Sequence, residues 1–345
     1  MRPVALDAMG GDHAPEATVA GAVRAAATGG VRVLLVGDEA RLAPEVRKHD
    51  PVPEGIEIVH APCTIGMEES PGPALLRKRD ASIVVATDLV RDGRACAVVS
   101  AGNSGAAMGA ATLRLGLLPG LDRPAIAMIM PTQGAGAILL DGGATVDSRP
   151  EHLRDFGLIG ATYAECLLHL KRPRVGLLNI GTEDSKGNAA VKLAYPMLRE
   201  APISFVGYVE GQQIASGDVD VVVCDGFVGN ALLKSIEGYA ELFWGLVRNA
   251  AGSTLRSRLG AWLLRPALRQ VAEKLDYASY GGALLVGVKG ICVIGHGRSS
   301  PTAVSNAIRV AAELDEQSVV DHLTVAFART NGEPVPAAAH TNETE

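Results

Sequence analysis

The sequence predicts an α/β protein built on a doubly wound, mostly parallel sheet. Three observations predict it. Short apolar runs alternate with longer segments of helical period along the 345 residues. Apolar residues make up 48% of the chain and aromatics only 4%, with 40 glycines, which suits a Val, Leu, Ile and Ala core with many tight turns. One local design also recurs: an apolar run, then Gly or Asn with a hydroxyl or an acid, then a helix. A chain of this length fits one large domain or two intimate ones.

The apolar runs place strands at 4–7, 31–37, 56–60, 95–100, 125–130, 137–141, 175–180, 203–206, 219–224 and 291–294. Helical period places helices at 14–27, 81–92, 104–117, 150–170, 189–200, 230–250, 255–274 and 302–330. Residues 1–330 read as a single two-lobed domain, and the Pro, Ala, Thr and Glu of 331–345 as a disordered tail. Net charge is −6, which argues against nucleic acid as a partner. The N-terminal "MRPVALDAMGGDH" has no apolar core, so no signal peptide is expected. Cys63, Cys96, Cys166, Cys224 and Cys292 are odd in number and show no CxxC spacing. Neither a disulfide framework nor a zinc site is expected, and a reducing cytoplasm fits.

Five loops share the recurring design: "LDAMGGDH" (6–13), "VVSAGNSGA" (98–106), "LLDGGATVD" (139–147), "LLNIGTEDSKGN" (177–188) and "VVVCDGFVGN" (221–230). In open α/β sheets ligands bind beyond the carboxyl ends of the strands, so the five loops are expected to converge on one cleft. Helix N-termini there present free N–H groups to an anion. No loop carries a correctly spaced GxGxxG, and "GTEDSKGN" is not a P-loop, so no nucleotide cofactor is indicated. Lys186 is the informative residue, because a cation in a first helical turn is disfavoured by the helix dipole and an anion would compensate it. Asn103 and Ser104 supply an amide and a hydroxyl, with Ser104 as helix cap the plainer reading. Asp225 and Asn230 read as caps, or the loop presents an amide donor and free N–H groups to an oxyanion. His13 is an acid or a phosphate contact. Asp7 and Asp12 lack a second carboxylate cluster, so no metal is expected.

From Leu242 to Ala272 there is no Asp or Glu, yet there are five arginines: Arg248, Arg256, Arg258, Arg265 and Arg269. The segment 230–275 reads as a helical hairpin joined near Gly252 or Pro266, with "LGAWLLRP" as its tip. It suits a dimer interface, a membrane-surface anchor through Trp262, Leu263 and Leu264, or both. Arg77, Lys78 and Arg79 are either a solvated helix face or a dock for an acidic partner.

With these loops assembled, the sequence resembles the bacterial phosphate acyltransferase family of phospholipid synthesis. "DAMGGDHAP", "SAGNSGA", "GLDRPA", "PRVGLLNIGTEDSKGN", "DVVVCDGFVGN", "YGGALLVGVKG" and "GHG" carry the likeness over almost the whole chain. The resemblance implies transfer of a fatty acyl group from acyl carrier protein to inorganic phosphate, giving an acyl phosphate. It implies a cytoplasmic homodimer at the membrane periphery, without metal or cofactor, feeding a glycerol-3-phosphate acyltransferase. It further implies a two-lobed fold similar to phosphotransacetylases and isocitrate or isopropylmalate dehydrogenases. On that basis Lys186 would hold phosphate, Asn230 would donate to phosphate or the thioester oxygen, and Asn103, Ser104, Gly181 and Thr182 would complete the cradle. A coenzyme A-dependent phosphotransacetylase, a nicotinamide-dependent dehydrogenase and a membrane scaffold are the competing readings.

Overall fold

A computed structural model describes residues 2–134, 136–275 and 281–331. Of the tail expected at 331–345, Asn331 is the last residue of the final helix, and 332–345 lie outside the described residues. The strands are β1 (Val4–Asp7), β2 (Val33–Gly37), β3 (Ile56–His60), β4 (Ala97–Ser100), β5 (Ala125–Met130), β6 (Ala137–Leu140), β7 (Arg174–Leu178), β8 (Ser204–Val209), β9 (Val221–Val223), β10 (Ala283–Val286) and β11 (Ile291–Ile294). The helices are α1 (Glu16–Gly29), α2 (Glu39–Arg47), α3 (Pro71–Arg77), α4 (Ser82–Arg91), α5 (Ser104–Arg114), α6 (Pro150–Leu167), α7 (Ala189–Glu200), α8 (Gly211–Ser216), α9 (Gly226–Gly252), α10 (Leu255–Leu275), α11 (Pro301–Glu316) and α12 (Val319–Asn331).

All strands join one sheet in the order β3-β2-β1-β4-β11-β10-β5-β6-β9-β7-β8. The first lobe, β3 to β11, is parallel throughout. β10 runs antiparallel to both β11 and β5, and β5 antiparallel to β6. The second lobe, β6 to β8, is again parallel. Three successive antiparallel pairings leave the second lobe running opposite to the first. The carboxyl ends of the two lobes therefore face opposite ends of the sheet.

Strands buried on both faces explain the near-continuous apolar runs. Val4 and Leu6 face one core and Ala5 the other, following the period of two. α1 packs on α11, α4 on α5 and α6 on α7. Small residues set these distances: a Cβ on Gly21 of α1 would lie 2.5 Å from Val304 of α11, and one on Gly160 of α6 2.4 Å from Val221 of β9.

The hairpin departs from the expected outline. α9 starts at Gly226, not Asn230, because the Asp225 carboxylate accepts from the Val228 amide at 2.8 Å and caps the helix. The two helices meet at Ser253 and Thr254, where Thr254 Oγ1 accepts from the Ser257 amide at 3.0 Å. Pro266 lies inside α10, so Trp262, Leu263 and Leu264 sit along that helix and not at a tip. They remain 67%, 65% and 58% exposed.

Candidate active site

The loop after β7 is built around Gly181, and the structure shows why glycine is needed. A Cβ there would sit 2.6 Å from Glu183 Oε2 and 3.2 Å from Lys186 Cγ. Lys186 thus folds back across the mouth of its own loop, held by a turn in which its amide donates to the Glu183 carbonyl at 3.0 Å. Gly187 takes φ +94° over Asn179, whose Oδ1 would lie 2.6 Å from any Cβ on it. Asn188 then caps α7, accepting from the Val191 amide at 2.9 Å. Lys48, Lys78 and Lys234 each pair with a glutamate, while the exposed Lys171, Lys186, Lys192 and Lys289 have no partner among the described residues; Lys186 differs from these in lying against Gly181 in the loop after β7. Thr182 is exposed beside it, and Asn179 Nδ2 is buried without a partner. An unpaired cation over open backbone suits a small anion.

β9 neighbours β7 in the sheet and runs parallel to it, so the loop carrying Asp225 and Asn230 leaves from the same end. Asn230 lies one turn inside α9, against the 141–145 loop. A Cβ on Gly143 would be 3.3 Å from Asn230 Cβ. The exposed Asn230 amide has no partner among the described residues and can donate. Asp225 is occupied as the cap. The 139–147 loop, read from sequence as another anion cradle, is already filled by its own anion. The fully buried Asp141 carboxylate accepts from the amides of Ile126, Gly143, Ala144 and Thr145 at 2.7–3.0 Å. Burial nonetheless raises its pKa above the ordinary carboxylate value.

His13, Asn103 and Ser104 lie at the other end of the sheet. The loops after β1 and β4 meet the loop after β11: the Asp12 amide donates to the Gly297 carbonyl at 2.8 Å, and Gly10 packs against Gly102. His13 and Ser104 are exposed there. Asn103, not Ser104, caps α5, accepting from the Ala106 amide at 3.0 Å. Its NH₂ donates to the carbonyls of Gly66, Met67 and Glu69, so Asn103 clamps the 66–69 loop. The five loops therefore form two groups within the chain. Beneath the second group Asp7 is buried, with Oδ2 accepting from Ser100 Oγ at 2.7 Å and Oδ1 unpartnered. Burial pushes its pKa up.

The loop after β11, "GHGRSSP", has the same rhythm as the other five, and that rhythm was the available signal for it. It opens onto a cavity of about 1100 Å³ between the first lobe, α11 and α9. A second polar cluster, Asp122 with Arg149 and the buried His152, fastens the loop before β5 to the start of α6. Its sequence signal was only the "GLDRPA" stretch. Among the described residues no three His, Cys, Asp or Glu gather to hold a metal, and no helix is long and apolar enough to cross a membrane.

Lobes of opposite strand sense joined through β10 and β5 define a two-lobed α/β fold, shared with solved phosphotransacetylases. Solved structures with this fold include a phosphotransacetylase from Streptococcus pyogenes (TM-score 0.63, 16% identity, 91% of this chain and 94% of that one). Another is the EutD phosphotransacetylase from Staphylococcus aureus (TM-score 0.59, 17% identity, the same coverage). The chain belongs to the family described as "Fatty acid synthesis protein", whose model matches residues 2–322. Its relatives include proteins named phosphate acyltransferase from Moorella thermoacetica and Desulfitobacterium hafniense. The first is 51% identical over 93% of this chain and 94% of its own length. The second, from strain DSM 10664 / DCB-2, is 47% identical over 93% and 96%.

Proposed function

We propose that the chain transfers a fatty acyl group from acyl carrier protein to inorganic phosphate, releasing acyl phosphate and the free carrier thiol. The unpartnered Lys186 ammonium, beside the loop that presents Asn230, carries the reading. Phosphate near neutral pH is already a nucleophile, so the protein need not supply one. Lys186, with Gly181 and Thr182, holds the dianion. A phosphate oxygen attacks the thioester carbonyl carbon while Asn230 Nδ2 donates to the developing oxyanion. The carbon–sulfur bond then breaks, and the thiolate leaves to be protonated by water. Holding the two reactants together supplies ~7 kcal/mol or more of the barrier, and one oxyanion donor ~3 kcal/mol. His13, Asn103 and Ser104 lie at the opposite strand ends, so within one chain they serve the first-lobe loops, with Asp225 a cap.

The same reading makes the chain a homodimer at the membrane periphery. Ile236, Tyr239, Phe243 and Leu246 form an exposed stripe at helical spacing on α9, suited to a second copy. Trp262, Leu263 and Leu264 with the hairpin arginines suit an anionic bilayer surface, at ~1 kcal/mol per basic residue. A water-labile acyl phosphate released there passes to a membrane enzyme such as a glycerol-3-phosphate acyltransferase.

The deciding experiment follows free thiol from long-chain acyl carrier protein, with and without phosphate. Release that needs phosphate and yields acyl phosphate supports the proposal. Release only from acyl coenzyme A transfers it to the phosphotransacetylase reading.

A further inference from the structure

We propose that the cavity between α9 and the first lobe holds the fatty acyl chain, and that Ala240, Trp244 and Ala303 set its length. The inference rests on the acyl-transfer reading above. One face of α9 carries Asn230, Leu233, Glu237, Ala240, Trp244 and Arg248 at helical spacing. Its early part is packed down: a Cβ on Gly229 would collide with the Asp141 carbonyl, and Leu233 is buried. Beyond Leu233 the same face lifts from the sheet and becomes a wall of the cavity, from Glu237 to Arg248. The opposite wall carries the apolar side chains of Leu6, Val99, Met130, Ala303, Val304 and Ala307, with the polar loop after β11 at its edge.

The dimensions fit an elongated apolar ligand. About 1100 Å³ is slightly above the ~300–1,000 Å³ usual for small-molecule sites, as a long ligand requires. At ~1.5 Å per residue, Asn230 and Trp244 are about 21 Å apart along the helix axis, the span of an extended long-chain acyl group. α9 thus runs from the amide placed at the thioester carbonyl to an apolar pocket at the far end of the sheet. Trp244, held edge-on by Phe243 at 5.4 Å between ring centroids, lies where the chain's methyl end would stop.

The test compares phosphate-dependent thiol release from octanoyl and palmitoyl carrier protein. Ala240→Phe and Ala303→Phe fill the cavity from opposite walls. Both are expected to lower kcat/KM for the palmitoyl donor about tenfold or more relative to the octanoyl donor. Turnover of the octanoyl donor reports that each variant is folded. Trp244→Ala is expected to shift preference toward longer chains. An unchanged palmitoyl-to-octanoyl ratio in both filling variants overturns the pocket assignment and leaves the transfer reading standing. Absence of phosphate-dependent release from either donor by the wild-type chain overturns the transfer reading itself. Independently, palmitate should change Trp244 emission in a Trp262→Phe background, and Ala303→Phe should abolish that change. No response in the Trp262→Phe protein also overturns the pocket.

Discussion

The loops at 139–147 and 177–188 follow the same pattern, and the structure gives them opposite states. Both leave parallel strands of the second lobe at the same end, and both bend through glycines. The first encloses its own carboxylate, Asp141, which takes four backbone amides. The second lays its own Glu183 carboxylate against Gly181 without a hydrogen-bond partner among the described residues, and sets Lys186 beside it. A loop whose amides its own carboxylate fills is a structural joint, and one that leaves its cation unpaired is open to an outside anion.

The sharpest way to break this contrast is to empty the first loop. Asp141→Ala would leave four amides without acceptors in a buried place, at ~1–3 kcal/mol each. Loss of folded protein is expected, read by circular dichroism and soluble yield. Full stability in that variant would mean the loop does not depend on its carboxylate. Lys186→Ala should act the other way, leaving the melting curve unchanged while turnover falls on the order of a hundredfold or more. Asn230→Ala should lower kcat by a comparable or smaller factor with little change in the phosphate KM. A rise in phosphate KM alone would move Asn230 from the oxyanion to phosphate binding.

The contrast was only partly legible in the sequence. Strands at 4–7, 56–60, 125–130 and 291–294 match their expected bounds because each apolar run is bounded by breakers or polar residues. β10 was not expected: its four residues sit between glycines and have no helix after them. Missing β10 also hid the reversal of strand sense, and with it the separation of His13, Asn103 and Ser104 from Lys186. The break between α11 and α12 at Ser318, with φ 51°, has no Gly or Pro to announce it. α2, α3 and α8 are short helices whose patterns are too brief to read. Lys186 stood out as a cation expected in a first helical turn, but α7 begins at Ala189 with Asn188 as its cap, so the lysine lies in the loop before the helix and is not a first-turn cation opposed by the dipole. Asp141 did not, since nothing local distinguishes a carboxylate that fills a loop from one that caps a helix.

The smallest expected effect sharpens the comparison at the other end of the sheet. Asp7 is buried like Asp141 but is less well satisfied: Oδ2 accepts from Ser100 Oγ and Oδ1 has no well-formed hydrogen bond, although Ser82 and the Met9 and Gly10 amides lie close enough to offset part of the burial. Burial raises its folded pKa above the unfolded value, so the folded state favours the protonated acid. Its stabilising contribution is therefore complete below the ordinary carboxylate pKa and declines as pH rises through the raised folded value. Asp7→Asn keeps a polar partner for Ser100 and removes the charge. At neutral pH the variant should melt a few degrees above the wild-type chain, and the gap should close toward pH 4. A gap that persists in acid would show that the charge is not its cause. A wild-type chain that is the more stable at neutral pH would show that the donors around Asp7, Ser82 and Ser100 with the Met9 and Gly10 amides, outweigh the cost of burying its charge, so that Asp7 is held as Asp141 is.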